Sequence, residues 1–427
     1  MRRVLWIFAL AGCAEINAAR DAQKPESAAP GERTVTAKEL GIASLTFDGG
    51  LEIALTHNPQ IATSKARVDG ARARVHQNLA GFWPSISASS SIKGSQTEGA
   101  DMDDTLSGSL SLSQLVFDFG KTSATARQSA ENLLAAELDL VTAANDVAFD
   151  YRQAFFNVLK QQELVVVNQE TVRQFEKRLE QVKGFVEVGT RARYDLTKAQ
   201  VDLGNAQLNL VRAQTALRVA RATLNDVLGL AEDASFTLVK PDLADGEPAF
   251  DRSKHPRLQA LAFREKAASA AIDAAIADLF PSISFSSSLS FTGSLTPVAW
   301  SGTLGPAINW LLFGGWTKTE AVKERVAGLR EARASRADAE QQVFLQISQA
   351  NAAVQDARER LKITELTVKQ ATENLDLVQG RFAVGRASSV ELTDAQVALA
   401  NARGERVQAE FDLQIALASL KRAVGTR

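Results

Sequence analysis

Residues 188–203 read VGTRARYDLTKAQVDL, and residues 384–399 read VGRASSVELTDAQVAL. In each, a V-G pair interrupts a stretch without proline, and an acidic residue, Leu, Thr and then A-Q-V follow at the same distance. A glycine inside a helix costs roughly 1 kcal/mol relative to alanine. The same interruption occurring twice therefore points to two turns between helices, where glycine accepts a positive φ that other residues resist.

The pairing extends along the chain. FWPSISASSS starts at Phe82 and LFPSISFSSS at Leu279, with Pro84 and Pro281 separated by 197 positions (281 − 84). Asn58-Pro59 and His255-Pro256 keep that offset (256 − 59), and Gly189 and Gly385 lie 196 apart (385 − 189). The chain reads as a tandem duplication. In each copy a helix opens at the proline and runs to P-S-I-S. Two alternating segments follow, then a proline-free run, from Ser85 to Lys240 and from Ala307 to the end. As a helix, Lys121 to Gly184 would extend roughly 95 Å.

The alternating segments predict strands. Ile283, Phe285, Leu289 and Phe291 share one face, with Ser284, Ser286, Ser288 and Ser290 on the other. Trp300, Leu304, Ile308 and Trp310 alternate with Ser301, Thr303 and Asn309, and Leu106, Leu110 and Leu112 with Ser107, Ser109, Ser111 and Ser113. Strands of about ten residues with one apolar and one hydroxyl face fit a transmembrane β-barrel; a soluble hairpin with one wet face gives the same alternation. Aromatic residues favour the membrane. Phe82, Trp83, Phe117, Phe119, Phe280, Trp310, Phe313 and Trp316 gather at the strand ends that lead into helices, as a girdle at a bilayer boundary would. Four strands cannot close a barrel, and open edges are not tolerated in lipid, so spanning strands require several copies of the chain.

The helical runs carry heptads. Leu196, Ala199, Leu203, Ala206, Leu210, Ala213, Leu217, Ala220, Leu224 and Val227 alternate in 3-4 spacing, as do Leu392, Ala395, Leu399, Ala402, Arg406, Ala409, Leu413, Ala416, Leu420 and Ala423. Large and small knobs in turn let helices approach closely, and only Arg406 breaks the register.

Composition excludes several functions. With 48 Lys plus Arg against 50 Asp plus Glu, no bulk charge attracts a nucleic acid. One cysteine, Cys13, leaves no intrachain disulfide and no cysteine-built metal site. The histidines His57, His76 and His255 form no metal-ligand set, and His57 and His255 beside prolines suggest helix caps. Gly120-Lys121-Thr122 lacks the glycine five positions earlier that a phosphate loop needs, since Leu115 stands there. No serine sits in a G-x-S-x-G elbow. The chain reads as no enzyme, with no cofactor and no catalytic or metal site. At the N-terminus, a basic start, the apolar run Val4 to Leu10, and L-A-G-C ending at Cys13 follow the order of a secretory signal. L-A-G-C resembles a bacterial lipobox, with Cys13 lipidated; an ordinary signal cleaved after Ala18 or Ala19 is the alternative.

The duplicated plan, the P-S-I-S starts, L-V-F-D-F-G and L-L-F-G-G at strand exits, and the two V-G turns together resemble the TolC-like outer-membrane factor family, from about Leu51 to Gly425. The resemblance implies a mainly α fold. A long antiparallel coiled-coil barrel joins a transmembrane β-barrel to which each of three protomers gives four strands, twelve in all. The expected division is a signal peptide at 1–12, a linker at 13–50, and repeats at 51–240 and 241–427, with hairpins at about 84–118 and 281–313. It further implies a homotrimer in outer-membrane lipid, with the helices in the periplasm. The implied function is a passive duct docking a periplasmic adaptor, or membrane fusion protein, and an inner-membrane pump, without nucleic acid. The docking turns fall on Val188, Gly189, Thr190, Val384, Gly385 and Arg386. A periplasmic gate falls on Glu391 and Asp394, with Asp195 and Lys198 at the first turn, and an aromatic girdle on Trp83, Phe117, Trp310, Phe313 and Trp316. A trimeric coiled-coil surface scaffold or adhesin without channel activity is the competing reading.

Overall fold

The computed structural model describes residues 36, 44–95, 103–230, 234, 236–241, 250–293 and 299–426, so Cys13 and the leader lie outside the described residues. In chain order the elements are β1 (Ser44–Leu45), α1 (Phe47–His57), α2 (Pro59–Leu79), β2 (Ser85–Ser95), β3 (Asp103–Phe117), α3 (Lys121–Glu187) and α4 (Arg193–Val227). There follow β4 (Thr237–Leu238), α5 (Pro256–Ala277), β5 (Ser282–Gly293), β6 (Ala299–Asn309), α6 (Thr317–Ala383) and α7 (Ser389–Val424). The order from α2 to α4 recurs from α5 to α7, and α3 and α6 are each 67 residues long.

Helix starts follow local chemistry. Thr46 Oγ1 accepts from the Gly49 N–H at 3.2 Å to cap α1. Asn58 Oδ1 accepts from the Gln60 N–H at 2.8 Å ahead of Pro59, the arrangement that pre-sets a first turn. The histidines depart from expectation: His57 closes α1, and the His255 side chain makes no capping bond to α5. The His255 ring is buried, and burial pushes its imidazole below the ordinary value despite the nearby Ala423 backbone.

The chain forms two compact units. The first comprises residues 44–63, 146–241 and 352–419. Its core includes Phe47, whose ring lies 5.3 Å from Phe155 and 5.6 Å from Phe156, with Tyr151 donating its hydroxyl to the Phe47 carbonyl at 3.0 Å. The short strands β1 and β4 pair in parallel. The heptad positions of α7 are buried at Leu392, Ala395, Leu399, Ala402, Ala409 and Leu413, while on α4 Ala199, Ala206, Ala220 and Leu224 are buried and Leu196, Leu203, Leu210 and Leu217 half-buried. At the break in register Val407 is buried in place of Arg406, which pairs with Glu410 at 3.4 Å. The long side chain thereby reaches water while the seam stays apolar.

The second unit comprises residues 64–145, 250–351 and 420–426. Its centre is one antiparallel sheet in the order β2-β3-β5-β6. The register aligns hydroxyls across all four strands: Ser87, Ser111, Ser288 and Thr303 form one row, and Ser89, Ser109, Ser290 and Ser301 the next. Ser89 and Ser109 lie 2.8 Å apart through their hydroxyls, Ser288 and Thr303 2.7 Å, and Ser290 and Ser301 2.8 Å. The opposite face carries Ile86, Leu112, Ser287 and Leu304 in one row and Ser90, Gly108, Phe291 and Trp300 in another, so it is mainly apolar with scattered serines. The Phe291 ring lies over Gly108, where a Cβ would stand 2.2 Å from it and the ring would have to move aside. Beside the sheet, Lys121 and Lys318 both pair with Asp278, and farther along the helices Arg333 and Arg336 both clamp Glu265.

Two glycines test the packing. Gly229 has φ 72°, and a Cβ there would lie 2.5 Å from the His57 carbonyl oxygen. Gly229→Ala should lower the thermal midpoint, by strain of about 1–2 kcal/mol from the left-handed backbone plus the clash. Gly204, inside α4 with nothing within 4 Å of its would-be Cβ, should gain about 0.5–1 kcal/mol on Gly204→Ala. Melting of the two detergent-solubilised variants checks both signs.

Candidate functional site

The two inter-helix turns lie in the first unit. After α3, Gly189 takes φ 75°, its N–H donates to the Val186 carbonyl at 3.1 Å, and the Thr190 N–H donates to Phe185 at 2.9 Å. After α6, Gly385 takes φ 72°, its N–H donates to Phe382 at 3.0 Å, and the Arg386 N–H donates to Arg381 at 2.8 Å. Both are glycine-capped helix ends in which the two N–H groups past the helix satisfy its last carbonyls. Val188 and Val384 project into solvent, about 70 % exposed (71 % and 70 %).

The helices that leave the turns start differently. At α7, the Glu391 N–H donates to Ser388 Oγ at 3.1 Å and the Ser388 N–H donates to Glu391 Oε1 at 3.2 Å, a reciprocal capping box. Those bonds, with Arg381 at 3.4 Å from Glu391 Oε2, hold the Glu391 carboxyl below its ordinary range. At α4 the equivalent cap position is Ala192, which offers no side-chain bond. The S-x-x-E spacing at 388–391 is a sequence signal for this box.

The four expected gate residues do not pair with one another. Glu391 turns to Arg381, Lys198 bonds Asp202 at 3.1 Å one turn along α4, Asp195 is half-buried, and Asp394 is exposed. Other residues connect the two turn regions. Phe382 lies 4.3 Å from the Arg178 guanidinium carbon and 4.9 Å from that of Arg191. Arg178 Nη2 donates to Ser389 Oγ at 2.9 Å, and Thr393 Oγ1 donates to Asp202 Oδ2 at 3.4 Å. Burial, then the neighbouring Arg191, pushes the Arg178 guanidinium below its ordinary value. Arg178 and Phe382 escaped the sequence reading because a lone Arg and a lone Phe on long helices carry no motif.

The second unit holds the expected girdle residues. Trp83, Phe117, Trp310, Phe313 and Trp316 are all more than half exposed. Phe119 links Phe117 (4.7 Å) to a stacked Phe280 (5.0 Å), and Trp310 Nε1 donates to the Leu279 carbonyl at 3.1 Å. Phe119 (φ 54°) and Trp316 (φ 69°), 197 positions apart (316 − 119), are the described non-glycine residues with positive φ. Left-handed backbone at a bulky residue costs about 1–3 kcal/mol, and it is adopted at the same point of both copies, where a strand passes into a 67-residue helix. The sheet edges β2 and β6 have no further strand partner among the described residues.

Over residues 50–230 and 252–426 the chain matches the family model described as outer membrane efflux protein. The chain belongs to that family. A curated relative, the outer membrane efflux protein BepC of Brucella suis biovar 1 (strain 1330), is 22 % identical over 390 residues, covering 90 % of this chain and 86 % of the relative. Among solved structures, VceC from Vibrio cholerae superposes with TM-score 0.77 at 19 % identity, covering 89 % of this chain and 96 % of that one. The open state of the Neisseria gonorrhoeae MtrE outer membrane channel gives 0.72 at 19 %, with 89 % of each chain covered. These likenesses establish that the mainly helical fold with its four-stranded sheet is that of the outer-membrane efflux channels. The family is one of efflux proteins rather than enzymes.

The cap asymmetry has a measurable consequence in this efflux protein. Because the Glu391 carboxyl is held low in the folded state, its contribution is present at neutral pH and lost as pH falls through that lowered value. Ser388→Ala should lower the hydrogen-exchange protection factors of the first-turn amides of α7 at pH 7, and acid should lower the same protection factors in the parent protein, each rate being compared with the intrinsic rate at its own pH. The first turn of α4, with Ala192 at its cap, should exchange faster than that of α7 already at pH 7.

Proposed function

We propose that this chain is the outer-membrane duct of a tripartite efflux or type I secretion assembly: a homotrimer that conducts passively and leaves the energy to an inner-membrane pump joined through a periplasmic adaptor. The observation that carries the reading is the sheet with an apolar face, a hydroxyl face and two open edges. Such edges are not tolerated in lipid unless paired. Three copies of the order β2-β3-β5-β6 close twelve strands with each β6 against a neighbour's β2, under the threefold symmetry that gives a closed ring. The hydroxyl rows then face the lumen and the apolar rows the lipid, with the exposed tryptophans and phenylalanines at the boundary.

Apolar residues on the long helices support assembly as well. Val201, Leu208 and Val211 on α4 and Phe344, Ile363 and Leu366 on α6 are each more than half exposed in one chain, a surface that neighbouring copies would cover. In the trimer, the turns at Gly189 and Gly385 are the adaptor-docking points, and Glu391 and Asp394 of three copies bring six carboxylates around the periplasmic entrance. A lipid on Cys13 would anchor the N-terminus in the membrane, and mass spectrometry of the mature N-terminus would carry its mass.

In planar bilayers the purified protein should conduct, and Glu391→Ala with Asp394→Ala should raise conductance several-fold and weaken block by multivalent cations. Absence of conductance in both proteins would favour the scaffold reading over the duct. Unchanged conductance in the double variant would return the two acids to a solvated helix face.

A further inference from the structure

Arg178 is only 3 % exposed, yet among the described residues no carboxylate bonds its guanidinium. Nη2 is satisfied by Ser389, the Phe382 ring covers one face, and Nη1 has no partner. Asp195 and Asp202 favour its charge only from a distance, and Asp202 is already bonded by Lys198 and Thr393. Gln396, 8 % exposed, leaves its Oε1 without a partner. It stands seven residues after Ser389 on α7, hence on the same face.

Both unsatisfied side chains line one groove of about 980 Å³. On α3 the groove takes Gln174, Lys177, Arg178 and Gln181 at helical spacing, and Phe382 and Gln396 lie opposite. Lys177 and Arg178 outweigh Glu180, the one acidic residue of the lining, so the groove is net positive. It continues into the turns through Phe185, the residue whose carbonyl accepts from Thr190. A buried guanidinium without a counter-ion is costly, and its desolvation is repaid only by a close, hydrogen-bonded anion. A groove that holds such a group beside a docking turn is short of one negative charge.

We propose that this groove receives a carboxylate side chain from the helical partner that docks at the two turns, the carboxylate accepting from Arg178 Nη1. Gln396, whose amide presents its NH2 after a half turn, supplies a second donor. The inference rests on the docking reading above and gives it a chemistry: an acidic residue on the partner helix.

The test places a photo-reactive residue at Gln181 and, separately, at Thr190 of the full chain, in cells that carry its adaptor and pump. The Gln181 probe should join an adaptor peptide with an Asp or Glu within one helical turn of the crosslink. Gln396→Glu supplies Arg178 with a carboxylate from within, and should raise the melting temperature of the free protein while weakening that crosslink about tenfold or more. Arg178→Gln should weaken it as well; if that variant fails to fold, Gln396→Glu alone decides. A crosslink unchanged in Gln396→Glu overturns the proposal, as does a joined peptide without an acidic residue or one that belongs only to a second copy of this chain. Crosslinks from Thr190 but none from Gln181 overturn the carboxylate and leave docking intact. Silence at both positions sinks the docking reading and the proposal together.

Discussion

The unpaired edges of β2 and β6 constrain everything else in this chain. A peptide group left without a partner in hydrocarbon costs several kcal/mol, so one copy of this sheet has no stable place in a membrane. The rest of the second unit fits a sheet built to be shared. Its hydroxyls are already bonded to one another along the rows, as at Ser89–Ser109 and Ser290–Ser301, which lowers the cost of a polar face. Its opposite face buries little within one chain: Ile92, Trp300 and Leu304 are each at least 73 % exposed. The same incompleteness recurs along α4 and α6, where apolar residues stand outside the heptad seam. Sheet and helices therefore demand one remedy, further copies of the chain.

The turns obey a different constraint, the supply of hydrogen bonds at helix ends. Four long helices meet at two places, so eight backbone groups at each turn must find partners. Glycine in the left-handed conformation satisfies the incoming helix both times, but the outgoing helix is served only at α7, by Ser388 and Glu391. The carboxylate that the family resemblance implies for a gate is a helix cap in this structure. Glu391 Oε1 takes the cap while Oε2 faces Arg381. Any rearrangement that broke these bonds would loosen the first turn of α7. Asp195 at the other turn has no such bond to lose, because Ala192 precedes it.

What was legible in the sequence follows from periodicity. Period-two alternation and the P-S-I-S starts located the strands, because each side chain of a sheet has only two directions to point. The 3-4 spacing located the buried seams of α4 and α7, even to the break at Arg406. The 197-residue offset exposed the duplication before any element was assigned. Contacts between elements far apart in sequence left no such trace. Phe382 between Arg178 and Arg191, or Asp202 held by Thr393, depends on how α3, α4, α6 and α7 settle against each other. No spacing within one helix encodes that. The burial of His255 left no trace for the same reason, since its ring packs beside Gly425, at the other end of its repeat.

Duplication also explains where the two halves are free to differ. Lys121 and Lys318 occupy equivalent positions (318 − 121 = 197), as do Phe119 and Trp316 with their left-handed backbones. Yet both lysines converge on a single carboxylate, Asp278, whose counterpart across the offset is Gly81 (278 − 197). A side chain at Gly81 would meet Thr122 at 3.1 Å, so the first copy keeps that corner small while the second fills it with charge. The cation is repeated because each long helix starts beside the sheet; the anion is single because one carboxylate has two oxygens and serves both. A symmetric backbone carrying an asymmetric set of charges is the same pattern found at the turns, where Lys198 stands opposite Asp394 in the repeat and only one copy is capped. In such a chain, functional specificity should be sought where equivalent positions disagree, and architecture where they agree.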